Sequence, residues 1–171
     1  MTLQEAAARA DELASAGDQK GLATLRQQWD EELEHAARDA DYRVRAQAYR
    51  AIAQFRFRQK LELVRRGLQD ESPAARGSAL IALEALSRDH PGDVNGMRAL
   101  LHELATNDPN PAVRRLGIVC LKNGSPQRET ILLLNGLADD DEQDGDLRKT
   151  AKTVALALTK RAREKLPPSS A

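Results

Sequence analysis

Residues that could support acid–base, nucleophilic or metal chemistry are few in this chain and stand far apart. The three histidines, His35, His90 and His102, fall in different segments, and none forms the H-x-x-x-H spacing that brings two imidazoles to one metal ion. We expect them to be solvated. Cys120 lies in an apolar stretch with no histidine placed beside it, which favours a small buried side chain over a nucleophile. The sequence therefore predicts no enzyme activity, no catalytic residue, no metal ligand and no cofactor.

The acidic stretch 139–146 has the spacing of the first half of a calcium-binding loop. Its twelfth position, however, is Ala151 and not the glutamate that binds Ca²⁺ through both oxygens. We interpret this stretch as a solvated loop between two helices.

The composition is typical of packed helices. Apolar residues make up 41% of the 171 positions, chiefly as alanine and leucine, whereas aromatic residues make up only 3%. Alanine and leucine favour helices, while sheets are enriched in aromatic and β-branched residues. No apolar run approaches the roughly 20 residues of a membrane-spanning helix, and the first residues lack the pattern of a signal peptide. We expect an all-α cytoplasmic protein without membrane contact.

Charge is unevenly distributed along a chain whose formal net charge is zero. Residues 1–42 contain ten acids and four bases, whereas residues 43–66 contain eight bases and one acid. Residues 147–171 contain seven bases and one acid. A neutral chain has no overall attraction to nucleic acid or to an anionic membrane, so charge-driven binding would need a local surface. The basic segments are the clearest indication of such a surface.

Four segments repeat one pattern, in which an acid precedes an arginine by six residues. The arginines, Arg45, Arg76, Arg114 and Arg148, are 31, 38 and 34 residues apart, close to the period of helical-hairpin repeats. The third residue after each arginine is small, which lets neighbouring helix axes approach. A second helix with its own apolar stripe precedes each of these helices. The pattern predicts about four two-helix repeats.

Helix-start signals agree with this division. Serine or asparagine precedes proline at Pro73, Pro111 and Pro126, which is the order of an N-cap and a first helical residue. Thr2 and Glu5 have the spacing of a capping box for an additional amino-terminal helix. We predict a single domain over residues 1–166, followed by a disordered tail at 167–171; the domain comprises an amino-terminal cap at 2–17 and repeats at about 20–56, 59–88, 92–124 and 126–165.

The D-P-x-x-x-V-R layout that begins at Asp108, echoed in the other three segments, resembles HEAT repeats and the HEAT-like repeats of phycobilisome lyases. The resemblance covers roughly residues 20–165 and implies a right-handed α–α superhelix of about four hairpins. In such repeats the acid and the arginine bond between stacked repeats. The resemblance therefore implies a structural ladder made of Asp39, Arg45, Asp70, Arg76, Asp108, Arg114, Glu142 and Arg148.

In HEAT arrays the second helix of each repeat lines the concave surface, and residues one, five and eight after the arginine point away from the core. The residues predicted to contact a partner are Arg43, Arg50, Ile81, Glu84, Arg115, Val119, Lys122 and Lys149. Exposure of Ile81 or Val119 would cost about 1.5–3 kcal/mol each, so either a partner or another copy of the chain covers them, or the helices are rotated and both belong to the core.

Two functions remain open at this point. The leading hypothesis is a non-enzymatic scaffold that binds a protein or peptide on its concave helix row. The alternative is a nucleic-acid-binding solenoid that contacts phosphates through a basic groove formed by Arg43, Arg50, Arg115, Lys122 and Lys149. The repeat type also suggests a third hypothesis, a lyase-like subunit that acts on a chromophore protein. The sequence specifies neither the identity of a partner nor the oligomeric state.

Overall fold

The computed structural model describes residues 1–164, which contain ten α-helices, one short 3-10 turn (Arg58–Lys60) and no strand. The all-α prediction is confirmed, and the helices pack in neighbouring pairs, as expected of a HEAT-like helical solenoid. The predicted tail at 167–171 lies outside the described residues. The helices are α1 (Leu3–Ser15), α2 (Gln19–Ala36), α3 (Tyr42–Gln54), α4 (Leu61–Leu68), α5 (Pro73–Ser87), α6 (Pro91–Asn95), α7 (Arg98–Asn107), α8 (Pro111–Leu121), α9 (Arg128–Asp139) and α10 (Gly145–Glu164).

The chain forms two compact units, Met1–Leu86 and Ser87–Ala171. In the first unit, α1 packs on α2 and α3, α2 packs on α3, and α3 packs on α4. In the second unit, α8 packs on α7 and α10, and α9 packs on the same two helices. The buried residues of both units are mainly alanine, leucine, isoleucine and valine.

Most helix starts follow from the side chains that precede them. The hydroxyl of Thr2 accepts a bond from the N–H of Glu5, whose carboxylate accepts one from the N–H of Thr2 at 2.8 Å, so the predicted capping box is formed. The side chain of Asn110 caps α8. The predicted start at Ser125 was wrong, because α9 begins at Arg128. Ser125 instead exchanges two hydrogen bonds of 2.9 Å with the side chain of Asn95.

The first unit contains one very close helix approach, at Gly67 on α4. A Cβ atom at this position would lie 2.7 Å from the Cβ of Ala79 and 3.0 Å from the ring of Tyr49. Tyr49 is fully buried and its hydroxyl donates to the carbonyl of Ala37 at 3.3 Å. Only glycine therefore fits between α4 and these neighbours without a shift of backbone or ring.

Candidate functional site

Helices α1, α3 and α5 of the first unit line a groove of about 420 Å³. Its floor consists of small side chains from all three helices, which leaves room for another chain to approach. Its polar lining comes mostly from α3, on which residues four apart lie on one helix face. The floor residues are Ala7, Ala46, Ala51 and Ala74, and the polar or aromatic lining residues are Gln4, Tyr42, Arg43, Gln47, Arg50, Gln54 and Ser78.

The two cations of this groove differ in how their charge is compensated. Arg43 is exposed and lies 3.2 Å from the carboxylate of Asp41, with its guanidinium 5.9 Å from the centre of the Tyr42 ring. Arg50 is exposed as well, but it forms no ion pair or side-chain hydrogen bond within the described part of the chain. No acidic residue lines the groove. Arg50 is therefore its uncompensated charge.

The hydroxyl of Ser78 is a buried polar group of the groove. The residue is only 1% exposed, and its Oγ atom has no hydrogen-bond partner. A buried hydroxyl without a partner destabilises a fold by about 1–3 kcal/mol relative to one that is bonded.

Most other cations of the basic segment 43–66 are engaged within the first unit. Arg56 lies 2.8 Å from Asp11, and Lys60 lies 2.5 Å from Asp30 and 2.8 Å from Glu34. The hydrogen bond from Lys60 lowers the pKa of Glu34. The acid-rich segment 1–42 thus neutralises much of the basic segment that follows it, so the uneven charge of the sequence reflects internal pairing more than a basic surface.

The predicted ladder residues of the first unit lie at the ends of α2–α5. Arg45 donates to both carboxylate oxygens of Asp70, at 2.8 and 2.9 Å, and to the carbonyl of Asp39 at 2.9 Å. The side chains of Arg45 and Asp70 are 11% and 6% exposed. Burial raises the pKa of Asp70, but the bonds from Arg45 and from the N–H of Ser72 outweigh it and lower that pKa. Arg76 donates to the carbonyl of Asp70 at 2.9 Å.

This periodic arrangement of arginines and capped helix pairs agrees with the comparison to known families. Residues 30–103 match the family model of HEAT repeats. The matched part of the chain is similar to HEAT repeats. Such repeats are commonly scaffolds for protein interactions and are typically non-enzymatic. No curated protein matches the chain.

In the second unit the arginine of the repeat meets a neutral partner. Arg114 donates to the side-chain oxygen of Gln143 at 3.0 Å and to the carbonyl of Ala105 at 2.9 Å, while its Nη2 atom is buried without a hydrogen-bond partner. The carboxylate of Asp108 accepts the N–H of Asn110 at 2.9 Å.

The predicted ladder position of Glu142 needs correction. Asp140, and not Glu142, accepts the backbone N–H two residues further on, as Asp108 does in the preceding repeat. Glu142 is exposed. The acid that accepts this bond lies at 140 and not at 142 because the loop between α9 and α10 is two residues longer than the loop between α7 and α8. Arg148 donates to the carbonyl of Ala138 at 3.0 Å.

The remaining residues predicted to bind a partner lie on both units. In the first unit Ile81 is 43% exposed and Glu84 is half-buried. In the second unit Val119 is half-buried, and Arg115 lies 3.5 Å from the carboxylate of Asp144. Lys122 and Lys149 are exposed.

His102 is not the solvated residue that the sequence analysis expected. It is half-buried, and its Nε2 atom lies 2.9 Å from the hydroxyl of Thr130, which also accepts a bond from Arg98 at 2.8 Å. The hydroxyl of Thr130 can donate to this ring nitrogen or accept from it, depending on the tautomer of His102. Burial lowers the pKa of His102. Cys120 is buried.

Residues 1–164 contain neither a cluster of potential metal ligands nor a membrane-spanning helix. No group of three or more histidine, cysteine, aspartate or glutamate residues there could hold a metal ion. Among the helices of the same residues, none combines the length and apolar character needed to cross a membrane.

Sequence reasoning missed the polar side chains of the groove other than the two arginines. Tyr42 lies about two helical turns before Arg50 and Gln54 lies one turn after it, on the same face of α3. Extending the predicted binding face along the helix would have included both. Gln47 and Ser78 occupy the second position after the repeat arginine, which was assigned to neither face. No pattern in the sequence marks that position as part of a groove.

Proposed function

We propose that this chain is a non-enzymatic scaffold and that its HEAT repeats bind a protein or peptide in the groove between α1, α3 and α5. The observation that carries the proposal is the uncompensated guanidinium of Arg50 above a floor of alanines. Ile81 on α5 adds exposed apolar surface in the same unit. Burial of such a side chain by a partner favours association, while an exposed arginine gives the contact its orientation.

The second unit offers a separate set of contacts. Lys122 and Lys149 are exposed there and are proposed as further contacts, with Arg115 and Val119 beside them only partly accessible. Because Arg43 and Arg115 each lie near a carboxylate, two of the five cations suggested for phosphate binding already have an acidic neighbour. We therefore do not extend the proposal to nucleic acid.

The proposal can be tested by affinity capture from the source organism's lysate with quantitative mass spectrometry. The variants are Arg50→Glu and Lys122→Glu, each compared with the wild-type chain. The matched control is Arg66→Glu, which reverses an exposed arginine on α4 outside the groove. We expect Arg50→Glu to reduce the specific partner at least tenfold and the control to retain it.

A partner recovered equally by the wild-type chain and by both test variants would refute this placement of the interface. Circular dichroism of each variant verifies that the helical fold is intact.

A further inference from the structure

We propose that the occupant of the groove between α1, α3 and α5 is an extended acidic peptide segment, with one carboxylate on Arg50 and one main-chain carbonyl on Ser78. This inference rests on the proposed function and specifies the chemistry of the partner. Three properties of the lining support it: its charge, its amide side chains and its unbonded hydroxyl.

The charge of the groove selects an acidic partner. Arg50 lines it without an ionic partner, and no carboxylate lines it that could serve as one. A guanidinium binds a carboxylate through two parallel hydrogen bonds, a geometry that neither a hydroxyl nor an amide reproduces. The second cation, Arg43, already has Asp41 at 3.2 Å and contributes less net charge. One strong carboxylate site is therefore expected, with a weaker one beside it.

The floor and the amides of the groove suit a peptide main chain. Four alanines form the floor, so a backbone can approach α3 without displacing longer side chains. Gln47 donates to Gln4 at 3.0 Å, which leaves the carbonyl oxygen of Gln47 and the amide nitrogen of Gln4 for other partners. An extended peptide presents alternating N–H and C=O groups that match such amides.

Ser78 supplies the most specific contact. It lines the groove, and its buried hydroxyl has no hydrogen-bond partner, so an acceptor reaches it when peptide binding shifts the side chains that cover it. A main-chain carbonyl is such an acceptor. Because the hydroxyl is unbonded in the free protein, its loss would weaken the complex without weakening the fold.

The first experiment is a selection from a random library of displayed twelve-residue peptides with the purified chain of residues 1–171 as bait. We expect the enriched peptides to carry more aspartate and glutamate than the input library. Enrichment of neutral or basic peptides, or no enrichment above the input, would overturn the inference.

The second experiment measures binding of the most enriched peptide, labelled with fluorescein, by anisotropy. Arg50→Gln should weaken binding about tenfold and Ser78→Ala about fivefold, as expected for loss of a charge-assisted and a neutral hydrogen bond. Arg66→Gln, which removes an exposed arginine outside the groove, should bind like the wild-type chain. Urea unfolding should show that Ser78→Ala is at least as stable as the wild-type chain. Unchanged affinity in both groove variants would contradict the inference.

Two further measurements separate the acidic peptide from other occupants. If a short DNA duplex binds and this binding depends on Arg50, the occupant of the groove is nucleic acid and the inference of an acidic peptide is wrong. If sedimentation analysis shows a dimer that depends on Arg50, the occupant is a second copy of this chain and the inference of an acidic peptide is likewise wrong. If Arg50→Glu abolishes capture of the cellular partner while no acidic peptide binds, the proposed function stands and only this inference fails.

Discussion

The two units place an arginine at the same position of the repeated sequence pattern and compensate its charge in different ways. In the first unit Arg45 holds the carboxylate of Asp70 through two short hydrogen bonds. In the second unit Arg114 has the neutral side chain of Gln143 in the corresponding place, and one of its nitrogens remains unbonded. The register of the repeat thus fixes where the guanidinium lies but not which group receives it.

This difference has an energetic consequence. Taking an ion pair out of water is unfavourable, and the loss is offset only when geometry and additional hydrogen bonds are good, as they are for Arg45 and Asp70. Arg114 avoids desolvation of a carboxylate but keeps an unmatched positive charge. We therefore expect the first unit to depend strongly on its acid and the second unit to tolerate changes at Gln143.

The largest effect is expected from Asp70→Asn. Asparagine keeps the acceptor for the N–H of Ser72 but leaves the poorly accessible Arg45 with only the exposed carboxylate of Glu71, 3.8 Å away, as a counter-charge. We expect a loss of about 2–3 kcal/mol in the free energy of unfolding, measured by urea denaturation. The control Asp11→Asn removes a surface carboxylate that pairs with Arg56 and should change stability by less than about 0.5 kcal/mol. Equal losses of stability in the two variants would contradict the view that the poorly accessible ion pair matters more than the surface one.

The pairing of Asp70 also shows how far sequence reasoning reaches. The acid-to-arginine spacing and the proline and capping signals predict the all-α fold and locate most helix starts, because these features are local and periodic. The same spacing cannot identify Gln143, because the longer loop before α10 shifts the acid away from its usual place. The groove was missed in large part because Gln4 and Ser78 are brought to it by tertiary packing, which no local pattern records.

A second comparison concerns one glycine from each unit. Gly67→Ala should destabilise the chain by about 1–2 kcal/mol, because the added Cβ would lie 2.7 Å from Ala79 in a tightly packed position. Gly117→Ala on α8 should stabilise it by up to about 1 kcal/mol, because the nearest atom to the added Cβ is 3.5 Å away and alanine favours helix. Urea denaturation of both variants measures the difference. A stabilised Gly67→Ala protein would show that α4 can move freely.

The neutral partner of Arg114 can be converted into an acidic one without a change in total charge. At present the side-chain amide of Gln143 donates to the carboxylate of Asp140 at 3.1 Å. The double variant Asp140→Asn/Gln143→Glu reverses this hydrogen bond, because the new amide at 140 donates to the new carboxylate at 143. It also places that carboxylate beside Arg114. We expect a gain of about 1 kcal/mol in the free energy of unfolding. The single variant Gln143→Glu should gain less, since its carboxylate would face that of Asp140. A double variant no more stable than the single one would argue against the pairing.

The smallest effect is a pH dependence that belongs to the second unit. Burial, reinforced by the nearby charge of Arg98 and opposed by Glu129, lowers the pKa of His102 below its usual 6.5. The unfolded chain therefore binds the proton more readily than the folded one, and this contribution to stability is complete above about pH 6.5 and is lost as the pH falls below it. Urea midpoints measured between about pH 7.5 and pH 5.5 should fall in the wild-type chain and fall less in His102→Gln, whose amide can still hydrogen-bond to Thr130. The control variant His90→Gln changes an exposed histidine, and its urea midpoint should change with pH as in the wild-type chain. If the midpoint of His102→Gln falls as steeply as that of the wild-type chain, the pH dependence belongs to other groups.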